Sequence, residues 1–128
     1  MQENKSEHEL LAERLERIGK RLTACREAAR SGGVDAFTSA AAEHLADLNP
    51  GELPLAAQTI WTDKVARSLR ADSTKPLSEQ GVAALRSWPT ARLQQLVRAL
   101  GEIERIVKEA EIDARNEIIR ATISREYS

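Results

Sequence analysis

The sequence predicts an all-α fold, a bundle of four or five helices in which the first and last helices are long. The chain is rich in Ala, Leu, Glu and Arg and poor in aromatic residues, a composition that favours helix. Apolar residues also recur at helical spacing along most of its length. A chain of 128 residues fits a single domain, residues 1–128. Within it we expect residues 1–5 to be disordered and residues 124–128 to form a frayed tail.

The first helix is predicted between Ser6 and Ser31. Ser6 and Glu9 have the spacing of a capping box. In this motif the serine side chain accepts a hydrogen bond from the glutamate's backbone amide, and the glutamate side chain accepts one from the serine's backbone amide. Gly32-Gly33 then ends the helix, because glycine tolerates the left-handed conformation of a C-terminal cap. Its apolar positions lie on one stripe: Leu11, Leu15, Ile18, Leu22, Cys25 and Ala29. This stripe could form a coiled-coil seam, but it spans fewer than four heptads, which favours packing inside a bundle.

Three shorter helices are predicted in the middle of the chain. The second begins with Asp35 as its cap and ends before the Asn-Pro-Gly run at 49–51, which breaks a helix. The third begins at Pro54, where proline suits the first turn, and ends before Asp72. The fourth covers 78–87. The default position of both tryptophans, Trp61 and Trp88, is the core, since a large ring supplies much buried area.

The last helix is predicted to begin at Thr90, because Pro89 disfavours helical geometry in the residue before it. If unbroken to its end, it is about 50 Å long, more than a compact bundle of this size requires. Its main apolar stripe is Leu93, Leu96, Leu100, Ile103, Val107, Ala110 and Ala114. Ile112, Ile119 and Ile123 lie off that stripe, so the C-terminal half has a second apolar face. That face is a candidate docking surface.

The sequence contains no set of residues that predicts catalysis. His8, His44 and Cys25 stand apart on different elements, without the spacing of a metal site, and Cys25 lies on an apolar stripe. No glycine-rich phosphate loop and no nucleophile motif occurs. We therefore expect a protein that is not an enzyme and has no cofactor or metal. The absence of a basic-then-apolar leader and of a long apolar run predicts no membrane segment, and the single cysteine suits the cytoplasm.

Charge is unevenly distributed along a chain whose net charge is −1. Residues 32–63 contain five acidic and no basic residues, whereas residues 64–98 contain seven basic and two acidic ones. Either the two segments neutralise each other when packed, or the basic segment is a face offered to an acidic partner. The alternative function that follows is a small DNA- or RNA-binding regulator. Its nucleic-acid-binding residues would be Lys64, Arg67, Arg70, Arg86, Arg92 and Arg98.

One stretch resembles a known family. The run from Arg86 to Leu93, followed by Leu96, Leu100, Glu104 and Lys108, is similar to the C-terminal helical domain of the delta subunit of the bacterial replicative polymerase clamp loader. The resemblance covers residues 85–120. In that family the domain assembles into an oligomeric collar. The resemblance therefore implies a collar-like protein-binding role linked to DNA replication or other nucleic-acid machinery.

These observations together predict a non-enzymatic interaction module, such as an adaptor, an accessory subunit or an inhibitor, that docks through its C-terminal helices. The expected partner is a protein with an acidic surface or a multi-subunit complex. Arginines would steer that partner and isoleucines would supply apolar contact area. The predicted partner-binding residues are Trp88, Arg92, Arg98, Ile112, Ile119 and Ile123. Self-association through the first helix's stripe, giving a homo-oligomer, is a further possibility.

Overall fold

The computed structural model describes residues 5–127 of the chain, with side chains up to Glu126, and confirms an all-α bundle with long first and last helices. No strand occurs in this range. Met1–Asn4, which belong to the segment predicted to be disordered, and Ser128 lie outside the described residues. α4 stays helical through Tyr127. The helices are α1 (Glu7–His44), α2 (Leu55–Ile60, continued by a π turn, Trp61–Ala66), α3 (Ser78–Ala83, continued by a 3-10 turn, Ala84–Ser87) and α4 (Thr90–Tyr127).

α1 contains both the first and the second predicted helix, joined at a sharp kink. At its start the Ser6 hydroxyl accepts a hydrogen bond from the Glu9 amide at 3.2 Å, as the capping pattern predicts. At the kink Gly33 has φ 74° and ψ −156°, a region that only glycine occupies at low cost. A Cβ on Gly32 would lie 2.4 Å from the Cβ of Ala36. The glycine pair therefore interrupts regular helical geometry, as the sequence predicts, and the second predicted helix follows directly after Gly33.

α1 and α4 run antiparallel and form the main packing of the fold. Glu16 of α1 pairs with Arg115 of α4 at 3.3 Å, whereas Arg26, further along α1, pairs with Glu104, earlier in α4. Between these contacts Gly19 lies against Val107, close enough that an added Cβ would touch it at 3.8 Å. Gly19 therefore lies at the contact between the two helices, where a Cβ would make ordinary van der Waals contact.

The short middle elements close the bundle over one end of the α1–α4 pair. The Ala46 carbonyl accepts a hydrogen bond from the Ser78 amide at 3.0 Å, which ties the segment after α1 to the start of α3. Trp61 is fully buried at the start of the π turn, which confirms its predicted core position. Its indole N–H has no hydrogen-bond partner among residues 5–127. The third predicted helix is shorter than expected and gives way to a turn that includes Arg70, at φ 53°.

Replacing Gly33 with alanine is expected to destabilise the fold by about 1–3 kcal/mol, because alanine is strained at this φ and ψ. Gly101 is the matched control: it lies inside α4, and an added Cβ there would meet nothing within 4 Å. Gly101→Ala should stabilise the protein by roughly 0.5–1 kcal/mol through helix propensity. Urea unfolding of both variants measures the difference. Equal effects at the two positions would contradict the role assigned to the kink.

The unpartnered indole makes a second prediction. Trp61→Phe keeps most of the buried ring area and removes the unsatisfied N–H, so we expect a loss in the free energy of unfolding of less than about 1.5 kcal/mol. Trp61→Ala should cost about 3–5 kcal/mol, because it leaves a cavity in the core. Thermal unfolding of the two variants separates ring packing from hydrogen bonding. A loss with phenylalanine as large as that with alanine would show that the indole N–H does have a partner.

Candidate docking site

Beyond Glu104, α4 leaves the closed end of the bundle and forms a two-helix arm with the first half of α1. We define the arm as residues 7–20 of α1 and residues 105–126 of α4. Arg115 pairs across it with Glu16 at 3.3 Å, and Leu11 lies in a surface groove beside Ala110 and Ala114. After Val107, Ala114 is the one fully buried residue of α4 within the described range. α4 therefore buries a single narrow stripe in the arm.

The outer face of α4 in the arm carries the three predicted isoleucines. Ile112, Ile119 and Ile123 are 57%, 55% and 50% exposed. Steps of seven and four residues place them on one stripe about 16 Å long. Ala114 follows Ile112 by two residues, a rotation of about 200° around the helix axis. Ala114 faces α1, so Ile112 faces away from it. The second apolar face predicted from the sequence is therefore present and open to solvent.

The charged side chains near this isoleucine stripe are largely paired within the arm. Arg115 binds Glu111 at 2.8 Å as well as Glu16, and Arg120 binds Glu117 at 2.6 Å. Earlier in the helix, Arg105 binds Glu109 at 3.1 Å. Because these charges already have partners, the feature that distinguishes this face is its apolar area.

Trp88 and Arg92 are joined to each other and to the bundle, away from the isoleucines. The Arg92 guanidinium stacks on the Trp88 ring, 3.8 Å from its centroid, and donates a hydrogen bond to the Ser68 carbonyl at 2.6 Å. Trp88 is half-buried against the core. Twenty residues of α4, about 30 Å, separate Arg92 from Ile112. The predicted partner-binding residues thus fall in two places, and the pair at the start of α4 fastens this helix to the turn after α2.

The six basic residues of the nucleic-acid alternative converge only in part. Lys64, Arg92 and Arg98 line one groove, which also contains the carboxylates of Asp63 and Glu102. The Lys64 ammonium lies 3.4 Å from the Glu102 carboxylate. All six basic residues are exposed, but three of them lie outside this groove: Arg67, Arg70 and Arg86. No ion pair within residues 5–127 joins the acidic 32–63 segment to the basic 64–98 segment, so the two do not neutralise each other directly.

A buried carboxylate holds α1 and α4 in register, and the sequence pattern did not reveal its partners. Glu104 is 6% exposed. It accepts hydrogen bonds from the Thr23 hydroxyl and from Arg26 at 2.7 Å, and it pairs with Lys108 at 3.2 Å. Burial alone would raise the pKa of Glu104, but the bonds from Arg26, Thr23 and Lys108 outweigh it and hold this pKa below its ordinary value. One signal for the burial of Glu104 was present in the sequence: Glu104 directly follows Ile103, which belongs to the buried stripe of α4.

The residues considered for reactive chemistry lie apart from the arm. Cys25 is fully buried, and desolvation, with a smaller contribution from Glu43, raises the pKa of its thiol to about 12. This thiol is therefore protonated at neutral pH. Across residues 5–127, His, Cys, Asp and Glu side chains form no group of three or more that could hold a metal ion. Nor does any helix in this range combine the length and apolar content needed to cross a bilayer.

Comparison of the chain with protein-family models, with curated proteins and with solved structures gave no match. The similarity of residues 85–120 to the clamp-loader collar domain therefore stays a prediction. Within the structure, Glu104 and Lys108 of that stretch form an ion pair, and the same carboxylate also binds α1.

Removing the Glu104 charge tests its role. Glu104→Gln is expected to lower the free energy of unfolding by about 1–3 kcal/mol near neutral pH, because bonds to a charged acceptor are lost. The folded-state pKa lies below the ordinary 4.5, so the carboxylate stabilises the fold above that pH. This contribution disappears as pH falls through the folded-state pKa.

The measurement is urea unfolding of the wild type and Glu104→Gln from pH 7 down to about pH 3. The stability gap should narrow only below the ordinary pKa of glutamate, 4.5. Glu109→Gln is the control, since that exposed residue pairs with Arg105 on the same helix and should change stability by less than about 0.5 kcal/mol. A gap independent of pH would contradict an electrostatic role for Glu104.

Proposed function

We propose that this protein is a non-enzymatic interaction module, an adaptor or accessory subunit, that binds an amphipathic helix of a partner protein on the outer face of its arm. The observation that carries the proposal is the stripe of Ile112, Ile119 and Ile123, each at least half exposed. Two paired helices bury one face each, so a third helix laid on α4 would complete a bundle. The resemblance to a clamp-loader collar makes the DNA replication machinery the first place to look for this partner.

The energetics favour a mainly apolar interface on the arm. Burying the exposed half of each isoleucine contributes about 1 kcal/mol, and packing between facing side chains adds to this. Arg115 and Arg120 already have carboxylate partners in their own chain, so few free charges border the stripe. Binding to the arm should therefore depend only weakly on salt concentration.

The nucleic-acid alternative makes the opposite prediction about salt. Binding through several arginines to phosphates releases counterions, so the affinity would fall steeply as salt rises. In the structure Lys64 is paired with Glu102 and Arg92 is bound to Ser68 and Trp88. Two carboxylates also line the groove that these bases share. These features support a protein partner over a phosphate backbone.

The test compares two substitutions that each bring a carboxylate to an exposed apolar position. Ile119→Glu lies in the stripe, and Leu55→Glu, at a residue 82% exposed, lies outside it. Both should leave the free energy of unfolding within about 0.5 kcal/mol of the wild type. Tagged full chain is recovered from its native host after nuclease treatment, and bound proteins are quantified by mass spectrometry. We expect a stoichiometric partner whose recovery falls about tenfold or more with Ile119→Glu only.

Two results would contradict the proposal. One is a partner retained equally by both variants. The other is recovery that collapses on nuclease treatment, which would favour the nucleic-acid alternative. Light scattering on the purified chain tests for self-association by measuring its molar mass. If the wild type has the mass of two chains and Ile119→Glu has the mass of one, the partner helix belongs to a second copy of this chain.

A further inference from the structure

A second groove, at the opposite end of α4 from the arm, has an apolar floor. It lies between the kink of α1 and the first turns of α4 and has a volume of about 520 Å³. Its floor includes Ala29 and Val34 from α1 and Leu93 and Val97 from α4. Val34 is 37% exposed, so part of this apolar floor is open to solvent. The volume accommodates a few side chains rather than a whole helix.

The groove is lined by cations without any lining carboxylate. Arg26, Arg30 and Arg98 border it, and neither aspartate nor glutamate does. Arg26 is already engaged by Glu104 at 2.7 Å. Arg30 and Arg98 are exposed, and neither makes an ion pair with a carboxylate within residues 5–127. Two arginines without ion pairs in this range thus flank an apolar surface, and Arg98 also borders the groove that contains Asp63 and Glu102.

The kink of α1 shapes this groove. Gly33 lines it without a side chain, and its left-handed φ of 74° changes the direction of α1 beside Val34. The groove therefore lies where the direction of α1 changes beside α4. Because the conformation of Gly33 is one that other residues adopt only with strain, the groove is built into the backbone.

We propose that this groove binds an acidic, amphipathic peptide segment of a protein partner. An apolar side chain of the segment would pack on Val34, Leu93 and Val97, while its Asp or Glu carboxylates would bind Arg30 and Arg98. The arginine fork binds a carboxylate through two parallel hydrogen bonds. The apolar floor favours a peptide over a nucleic-acid backbone, which would offer phosphates but no aliphatic group to cover Val34.

This inference does not depend on the arm. At least fourteen residues of α4, about 20 Å, separate Arg98 from Ile112, and the two surfaces differ in chemistry. The isoleucine stripe is bordered by charges that are already paired, whereas the groove presents arginines without carboxylate partners. The two sites can therefore be tested separately with different variants.

The experiment selects ligands for the full chain from a phage-displayed library of random peptides about 12 residues long, near 0.15 M salt. We expect the enriched sequences to combine an apolar residue with Asp or Glu. A synthetic peptide of the enriched sequence is then titrated by fluorescence anisotropy. Arg30→Glu combined with Arg98→Glu should weaken binding by at least about tenfold. A peptide with Lys in place of its acidic residues should bind this double variant better than the wild type.

The matched control combines Arg67→Glu and Arg86→Glu, which changes the net charge equally at two exposed positions away from the groove. It should keep the wild-type affinity, as should Ile119→Glu in the arm. Absence of enrichment, enriched peptides without acidic residues, or equal losses in the two double variants would overturn the proposal. A single-stranded oligonucleotide that binds the groove where no peptide does would also overturn it, in favour of a phosphate ligand.

Discussion

The fold depends on the buried carboxylate of Glu104, which fixes how α1 and α4 pair. The two long helices bury similar apolar stripes, and one-turn slips of such stripes against each other would differ little in apolar contact. Glu104 removes this ambiguity, because only one register brings its oxygens to Thr23 and Arg26. Any other register would remove the bonds from Thr23 and Arg26 and leave this buried charge only Lys108 of its own helix, which is unfavourable for a buried carboxylate. The middle elements pack onto the helix pair that has this register.

The register also determines how much of each long helix the other elements leave uncovered. The middle elements cover the α1–α4 pair only on one side of Glu104, where Lys64 of the π turn reaches Glu102 and Arg92 reaches Ser68. On the other side nothing in the described chain covers the outer face of α4. The exposure of Ile119 is therefore a consequence of helix length. α4 continues well past the elements that could have covered it.

Local features of the fold could be predicted from the sequence. The cap at Ser6, the bend at Gly33 and the start of α4 at Thr90 each depend on residues within one helical turn, so single-chain patterns are sufficient to find them. The outer stripe of α4 was also predictable, because Ile112, Ile119 and Ile123 share one helix face that the main stripe does not occupy. These features need no knowledge of what packs against them.

Non-local features could not be predicted in this way. Arg26 and Glu104 meet across 78 positions of the chain, and no periodicity within either helix indicates their pairing. Gly32-Gly33 interrupts regular helical geometry as predicted, but the local pattern does not show how the following helix packs, and Phe37 and Ala41 of that helix are buried in the core. Similarly, the basic 64–98 segment includes Arg98 but not Arg30, so the charge pattern did not show that these two arginines flank one groove.

α4 combines two surfaces of different chemistry on one continuous helix, and this separation follows from the same constraint. Near Thr90 the bend at Gly33 leaves apolar area beside arginines without carboxylate partners, a combination suited to a short charged segment. Near Ile119, Arg115 and Arg120 are already paired with carboxylates. The surface there is mainly apolar, which suits the apolar face of a partner helix. Glu104 lies between the two surfaces and holds α4 against α1. The backbone of α4 is therefore held in place between the groove near Thr90 and the stripe near Ile119. If both proposals hold, each surface would therefore bind its own segment of a partner at a separate end of α4.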